Sequence, residues 1–441
     1  MFEKVLKFGG AALTDGPGVQ RACRIVRQYG GARPIVVVSA HQGVTDLLDT
    51  VARSAAEGHL EGDRVRIRHR SILRQLGLDS ELLDRHFNEL FGLLAQIQRS
   101  ARLSPAERDL VLSFGERMSA RVVAHALRAE GLPATPVDAF DLGLTSDSNH
   151  GDARPLPESR STVQATLSAV PGIPVVTGFL AKDKHGNLTT LGRNGSDLTA
   201  ALVAEAVDAS EVQLWKGVDG MMSADPEIVA DARSIERLGF QQAAEYAFHG
   251  AEVLHAAALA PAMRANLAVR LLNVNDPEAP GTLLEAHTPA EGPIGIAARR
   301  NVVRIDLDLT WADPRAPLVS ELFATLARHA VEPGIVRASA ERLSVLVAPG
   351  NGLEAALAEL GRRVTVERSL ALVAVIGCSA GRDAAAAQQV LSVLAEARTP
   401  VVDAFVGIRQ NSQVVLVARD ALEKTVRVLH AGLLRPQTVR V

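Results

Sequence analysis

Short apolar runs alternate with longer amphipathic stretches along the chain. Val5 to Phe8 is apolar and ends at Gly9-Gly10. Pro34-Ile-Val-Val-Val-Ser39 is a continuous β-branched run, the pattern of a parallel strand buried on both faces. Val19 to Gln28 and Thr45 to Glu57 read as helices. From Asp63 to Arg102 apolar residues recur at helical spacing among many arginines, which predicts two or three surface helices. Ser104-Pro105 starts another helix, because Ser caps well and Pro suits the first turn. Ser113-Phe-Gly-Glu116 is expected to interrupt it before Met118 to Glu130. Pro174 to Leu180 predicts a strand, His185-Gly-Asn187 a turn, and Leu188 to Gly192 its hairpin partner. A helix over Ser196 to Val207, a strand over Glu211 to Trp215, a helix over Leu254 to Arg264 and a strand over Val269 to Asn273 follow. Repeated strand–helix units predict an α/β three-layer sandwich with a mostly parallel sheet.

Around Ala286 to Pro293 the composition shifts to Pro, Gly, Glu and Ala, the signature of a linker. Two blocks with the same β-α-β-β-α order follow, starting at the strands Val302 to Leu309 and Leu370 to Gly377. This is an internal repeat of small ferredoxin-like units. The expected organisation is 1–288, 294–368 and 369–441.

Composition narrows the class. With 441 residues, 47% hydrophobic and 22% charged, the chain is globular and long enough for two or three domains. Lys plus Arg is 47 and Asp plus Glu is 50, a net charge of −3, so no basic excess points to nucleic acid or an anionic membrane. Two cysteines, Cys23 and Cys378, cannot form a disulfide scaffold. No apolar run reaches the roughly 18 residues of a membrane span. MFEKVLKFGG enters a strand at once, without the pattern of a signal peptide, so a cytoplasmic protein is expected.

Several strand-to-helix turns carry candidate chemistry. Leu6-Lys7-Phe8-Gly9-Gly10 lets backbone N–H groups approach an anion beside a lysine, although it is neither a Walker A loop nor a dinucleotide fingerprint. Thr190-Leu-Gly-Arg193-Asn-Gly195-Ser196-Asp197 feeds a helix through a glycine-flanked loop. The plain structural reading makes Ser196 an N-cap and Asp197 a first-turn carboxylate; Arg193 adds a fork suited to a carboxylate or phosphate. Ser39 to Asp46 forms a third turn lined with hydroxyls, and Glu116 sits next to a glycine. Ligands of parallel α/β sheets gather at the carboxyl ends of strands, where several of these loops fall.

KFGG, VVVSAHQGVTDLLD, SFGERMSARVVAHAL, GLTSDSNHGDARPL, VVTGF, TTLGRNGSDLTA, VDGMMSADP and GAEVLHAAAL occur in the order seen in aspartate kinases. Over residues 1 to about 285 the chain therefore resembles that branch of the amino-acid kinase superfamily, and the repeat resembles its two C-terminal ACT domains. The resemblance implies transfer of the ATP γ-phosphoryl group to the β-carboxylate of L-aspartate, with Mg²⁺, in amino-acid biosynthesis. It places Lys7 at the transferred phosphoryl group and Asp197 as its organiser. Ser39, Thr45, Glu116, Phe179, Arg193 and Ser196 fall at the amino acid. Gly9, Gly10, Trp215, Lys216, Gly217, Met222 and Asp225 fall on the nucleotide side; no metal-ligating set is assigned. It further implies a homodimer or higher homo-oligomer paired through ACT units, an amino-acid effector bound there, and an insertion of one ACT unit into the other that would give the strand near Ile294 to Ala298 to the second repeat.

Departures cluster on the nucleotide side. Ala11 and Ala12 follow KFGG where relatives carry Thr-Ser, the loop Trp215-Lys216-Gly217-Val-Asp219-Gly220 lacks the Asp common at the second position after Trp, Glu227 stands for Arg, Glu252 for Lys and Ala256 for Pro. His249, Glu252 and His255 share a helical face at three-residue spacing, which reads as an ordinary helix pairing more readily than a metal site. Trp311 occupies a strand-to-helix loop that is small and glycine-rich in relatives. Two other readings follow from the departures: a catalytically silent amino-acid-binding regulator, and a kinase for another acidic amino acid.

Overall fold

The computed structural model describes residues 2–251, 256–286, 292–310, 314–377, 385–405 and 411–434. They fall into two units: Met1–Met221 with Ser234–Phe240 and Val253–Thr288, and Met222–Arg233 with Gln241–Glu252 and Pro289–Val441.

In chain order the first stretch contains β1 (Lys4–Phe8), α1 (Gly16–Tyr29), β2 (Ile35–Val38), α2 (Val44–Ala56), α3 (Asp63–Leu76), α4 (Asp84–Ser100), α5 (Pro105–Ala129), β3 (Ala134–Val137), β4 (Thr145–Ser146), α6 (Ser159–Ala169), β5 (Ile173–Thr177), β6 (Leu180–Asp183), β7 (Leu188–Thr190), α7 (Gly195–Ala206), β8 (Glu211–Lys216), β9 (Arg237–Gly239), α8 (Phe240–Phe248), α9 (Ala256–Ala265), β10 (Ala268–Asn273) and β11 (Thr282–Glu285). Eight of the strands form a sheet in the order β3-β5-β2-β1-β8-β10-β11-β9. The six from β3 to β10 in that order run parallel, and β11 reverses against β10. The chain winds away from β1 on one side through β2 and on the other through β8, so the switch point lies between β1 and β8.

Alternation along β1 and β2 divides the two faces. Leu6, Phe8, Val36 and Val38 join the core built with helices α1 to α5. The opposite face of β1 meets α7, which packs with α6 and α9. Lys7 points to that side, as its pairing with Asp197 of α7 shows. The arginine-rich stretch became two helices, α3 and α4, each with one face in the core, through Val65, Ile72 and Leu73 and through Phe87, Leu90, Leu94 and Ile97.

Three local expectations change. The helix from Pro105 is not interrupted: α5 runs unbroken for 25 residues from a Ser104–Glu107 capping box. Gly115 is there for contact, since a Cβ at that position would stand 2.7 Å from the Ala40 side chain, and a glycine costs a helix only about 1 kcal/mol. The run Pro174 to Leu180 is two strands, because Phe179 adopts a left-handed conformation (φ 67°) and turns the chain out of the large sheet. β6 then pairs with β7 in a small separate sheet with β4. Ser196 is not the cap of α7: Asn194 occupies that place, also left-handed, and its side chain makes no capping bond.

The second unit carries β12 (Gly295–Asp308), α10 (Ala316–Arg328), β13 (Pro333–Ala338), β14 (Arg342–Val347), α11 (Leu353–Leu360), β15 (Val364–Ile376), α12 (Ala385–Glu396), β16 (Asp403–Phe405), β17 (Ser412–Ala418) and α13 (Leu422–Leu433). One antiparallel sheet, β13-β14-β12-β15-β17-β16, holds both repeats. β12 serves both: Val303, Ile305 and Leu307 pack with Leu322, Leu326 and Ala356, while Ile296 packs with Val373, Val390, Val426 and Leu429. Ala224, Ile228 and Val229, from the segment read as the first domain, join the latter core. Among the described residues no helix is long and apolar enough to cross a membrane.

Candidate active site

Strand β1 delivers Lys7 to the switch point, and β8 delivers Lys216 beside it through the pairing of Lys7 with Leu214 and of Phe8 with Trp215. The first turn of α7 brings Asp197 between them. Lys7 Nζ lies 2.6 Å from Asp197 Oδ1, and Lys216 Nζ donates to Asp197 Oδ2 at 2.8 Å. Lys7 is 7% and Asp197 1% exposed. Burial opposes ionisation of Asp197, but the two ammonium groups outweigh it and hold the carboxyl at about pKa 2. Burial pulls Lys7 below its usual value, Lys216 adds like-charge repulsion, and Asp197 pulls the other way. One carboxylate therefore aligns two ammonium groups and leaves the cluster one positive charge in excess.

Gly9 and Gly10 follow directly. A Cβ on Gly9 would meet Lys7 Nζ at 3.4 Å, so the ammonium lies along this turn, and one on Gly10 would meet Ala40 O at 3.0 Å. The loops leaving β1 and β2 are thus in contact, and Ser39 N–H donates to Phe8 O at 3.1 Å. Ser39 and Thr45, both partly buried, flank that second loop. Ala40 N–H donates to Glu116 Oε1 at 3.0 Å, while Glu116 Oε2 is buried without a partner among the described residues. Burial raises Glu116 to a pKa of about 7, against the pull of the Ala40 hydrogen bond and the Lys7 charge. A buried oxygen without a donor is costly in an empty site and suits an incoming ammonium group.

The loop after β5 closes on the start of α7. Phe179 N–H donates to Thr199 Oγ1 at 3.0 Å, and a Cβ on Gly178 would stand 2.5 Å from Ser196 Oγ. Ser196 and Phe179 therefore sit together beneath the loop that carries Arg193. Arg193 is exposed, and among the described residues it forms no ion pair.

Of the residues expected on the nucleotide side, Trp215 has its indole fully buried, stacked on Phe8 at 6.3 Å and tilted against Tyr29 at 5.5 Å. It anchors the end of β8 in the core and does not face a ligand; Lys216 and the exposed Gly217 follow it. Met222 and Asp225 belong to the second unit, where the exposed Asp225 accepts from Glu227 N–H at 3.0 Å. Glu252, His255, Trp311 and Cys378 lie outside the described residues.

Sequence reasoning passed over Asp109. It is fully buried in α5 and accepts from His150 Nδ1, Gly151 N–H and Thr190 N–H and Oγ1 at 2.7–3.2 Å, fixing the chain just ahead of the Arg193 loop. Its signal was a lone carboxylate among the apolar positions of a helix. For a divalent cation, the described residues hold no cluster of three or more His, Cys, Asp or Glu that could bind one, and both oxygens of Asp197 are engaged by lysines.

The amino acid kinase family model matches residues 3–273. The lysine-sensitive aspartokinase 3 of Escherichia coli is 32% identical over 97% of this chain and 98% of its own. The chloroplastic aspartokinase 2 of Arabidopsis thaliana is 31% identical over 78% of this chain; the match spans 66% of that relative, just under two thirds of its length. The crystal structure of Escherichia coli aspartokinase III in complex with aspartate and ADP superposes with a TM-score of 0.82 at 30% identity, covering 98% of this chain and 99% of that one. The chain belongs to the amino acid kinase family and, within it, to the aspartokinases.

Proposed function

We propose that this protein transfers the γ-phosphoryl group of ATP to the β-carboxylate of L-aspartate. The observation that carries the reading is the Lys7–Asp197–Lys216 cluster at the switch point, next to a buried Glu116 with one oxygen unpaired. Bringing a carboxylate to a polyphosphate opposes two anions, and the two ammonium groups offset that repulsion where negative charge spreads in the transition state. The nucleophile is already ionised near neutral pH, so no general base is required. Lys7 touches the transferred phosphoryl group, and Asp197 orients Lys7 and Lys216. Glu116 receives the α-ammonium, Arg193 forks the α-carboxylate, and Ser39, Thr45, Phe179 and Ser196 complete the amino-acid pocket. Gly9, Gly10 and Gly217 offer backbone to the nucleotide phosphates. The described residues supply no metal cage, so Mg²⁺ belongs with the nucleotide phosphates and no step is assigned to it.

The two repeats on the shared antiparallel sheet support an ACT-like regulatory portion that binds an amino-acid effector and pairs two chains, and a main division near residue 288. The test is ADP release with L-aspartate, L-glutamate and N-acetyl-aspartate. Aspartate-dependent release that fails with the N-acetyl compound supports the assignment, including the ammonium site. ADP release favouring glutamate, or none with any acceptor, rejects it.

A further inference from the structure

The loop between β2 and α2 carries a histidine with no place in the chemistry above. The His41 ring is 1% exposed, and its Nδ1 lies 2.7 Å from the carbonyl oxygen of Leu13. A carbonyl only accepts, so Nδ1 carries the proton. Leu13 ends the short 3-10 turn Gly10–Leu13 that follows Lys7, Gly9 and Gly10. His41 itself stands between Ser39, Ala40 and Thr45 on the amino-acid side. Its imidazole thus joins the loop assigned to the phosphates to the loop assigned to aspartate.

The surroundings hold that ring in one state. Its edge packs on His69, with ring centroids 5.5 Å apart, and His69 Nδ1 is itself bound to Val65 O at 2.9 Å. Burial, the neighbouring His69 and Arg68 keep His41 near pKa 3, and burial keeps His69 near 4, so both stay neutral through the working range. The Nε2 atoms of both lack partners, so neither ring is held there by a second hydrogen bond. Nearby, Thr14 Oγ1 meets Gln42 Oε1 at 2.6 Å, a second and exposed link between the same loops.

We infer that His41 is a positioning residue for phosphoryl transfer: its Nδ1–H fixes the glycine turn after β1 against the amino-acid loop after β2, setting the gap between the two bound anions. The inference rests on the proposed reaction. It takes no part in binding either substrate, so its removal misaligns two subsites that each still bind.

His41→Phe keeps the bulk and removes the donor. It is expected to lower kcat by about tenfold or more, the scale on which small misplacements slow transfer between bound groups. The KM values for aspartate and ATP should each stay within about threefold, because binding to either loop is unaffected. His41→Asn places an amide donor near Nδ1 and should recover most of the rate, whereas His41→Gln, whose amide reaches toward the Nε2 position, should not. Should the Phe variant fail to fold, the Asn and Gln pair carries the same contrast. Wild-type kcat in the Phe variant, equal rates for Asn and Gln, or a loss confined to one substrate's KM would overturn the inference. A wild-type protein without aspartate-dependent ADP release would instead reject the proposed reaction.

Discussion

The proposed phosphoryl side and the proposed amino-acid side of the site are prepared in opposite ways. On the phosphoryl side each charged group already has a partner, and Asp197 spans Lys7 and Lys216. On the amino-acid side the charged groups wait: Glu116 keeps a buried oxygen unpaired, and Arg193 stands exposed without an ion pair among the described residues. The difference teaches which end is built by folding and which by binding. A buried and a half-buried ammonium group side by side need a counter-charge before any ligand arrives, whereas an exposed guanidinium can wait in water at little cost.

The largest effect is expected from removing the shared counter-charge. Asp197→Ala leaves two ammonium groups facing each other, and breaking a buried pair costs about 3–5 kcal/mol. Thermal unfolding should fall accordingly, and activity should vanish. A variant of wild-type stability would break the comparison, since the cluster would then not be built by folding. Next, Lys7→Ala should lower turnover by about 10²–10³, the usual loss for one charge-stabilising donor, with little change in aspartate affinity. Unchanged turnover would remove Lys7 from the mechanism.

Arg193→Ala tests the waiting end. Loss of a charge-assisted fork should weaken aspartate binding by about 1.5–3 kcal/mol by calorimetry and leave the fold intact. A drop in stability instead would mean that Arg193 serves structure. Glu116 gives a smaller, pH-dependent signal. Its folded pKa of about 7 means that the carboxylate able to meet an ammonium forms only as pH rises, so aspartate affinity should improve severalfold from about pH 6 to about pH 8. Without ligand the sign reverses. The folded group holds its proton up to about 7 and the unfolded one to its ordinary value of 4.5, so its contribution to stability is full below 4.5 and fades by 7. Glu116→Gln should flatten both curves, and a surviving affinity inflection would assign it elsewhere. The smallest change is expected from Glu227→Arg. Glu227 is exposed, where a charge is worth about 0–1 kcal/mol, so ATP affinity should shift by no more than severalfold; a large gain would place it against the phosphates.

Much of this was legible in residue patterns. The β-branched run at Val36 to Val38 announced a doubly buried parallel strand, and ordered motifs brought Lys7, Glu116, Arg193 and Asp197 to notice before any coordinates. What escaped was set by contacts distant in sequence. The unbroken α5 depends on Ala40 filling the space at Gly115, which no local propensity records. The pairing of Lys216 with Asp197 depends on β8 lying beside β1, a register that only the assembled sheet fixes. Asp109 and His41 read as single polar residues until the loops they hold are seen together.

Strands β12 and β15 bear on how the unit that holds the repeats can be taken apart. Each is long enough to line both repeats, Gly295 pairing with Ile376 at one end and Leu307 with Val364 at the other. A protease cut or gene truncation between the repeats would therefore split a ladder common to both and release no intact half. Duplicated in sequence, the repeats are inherited, degraded and melted as one piece.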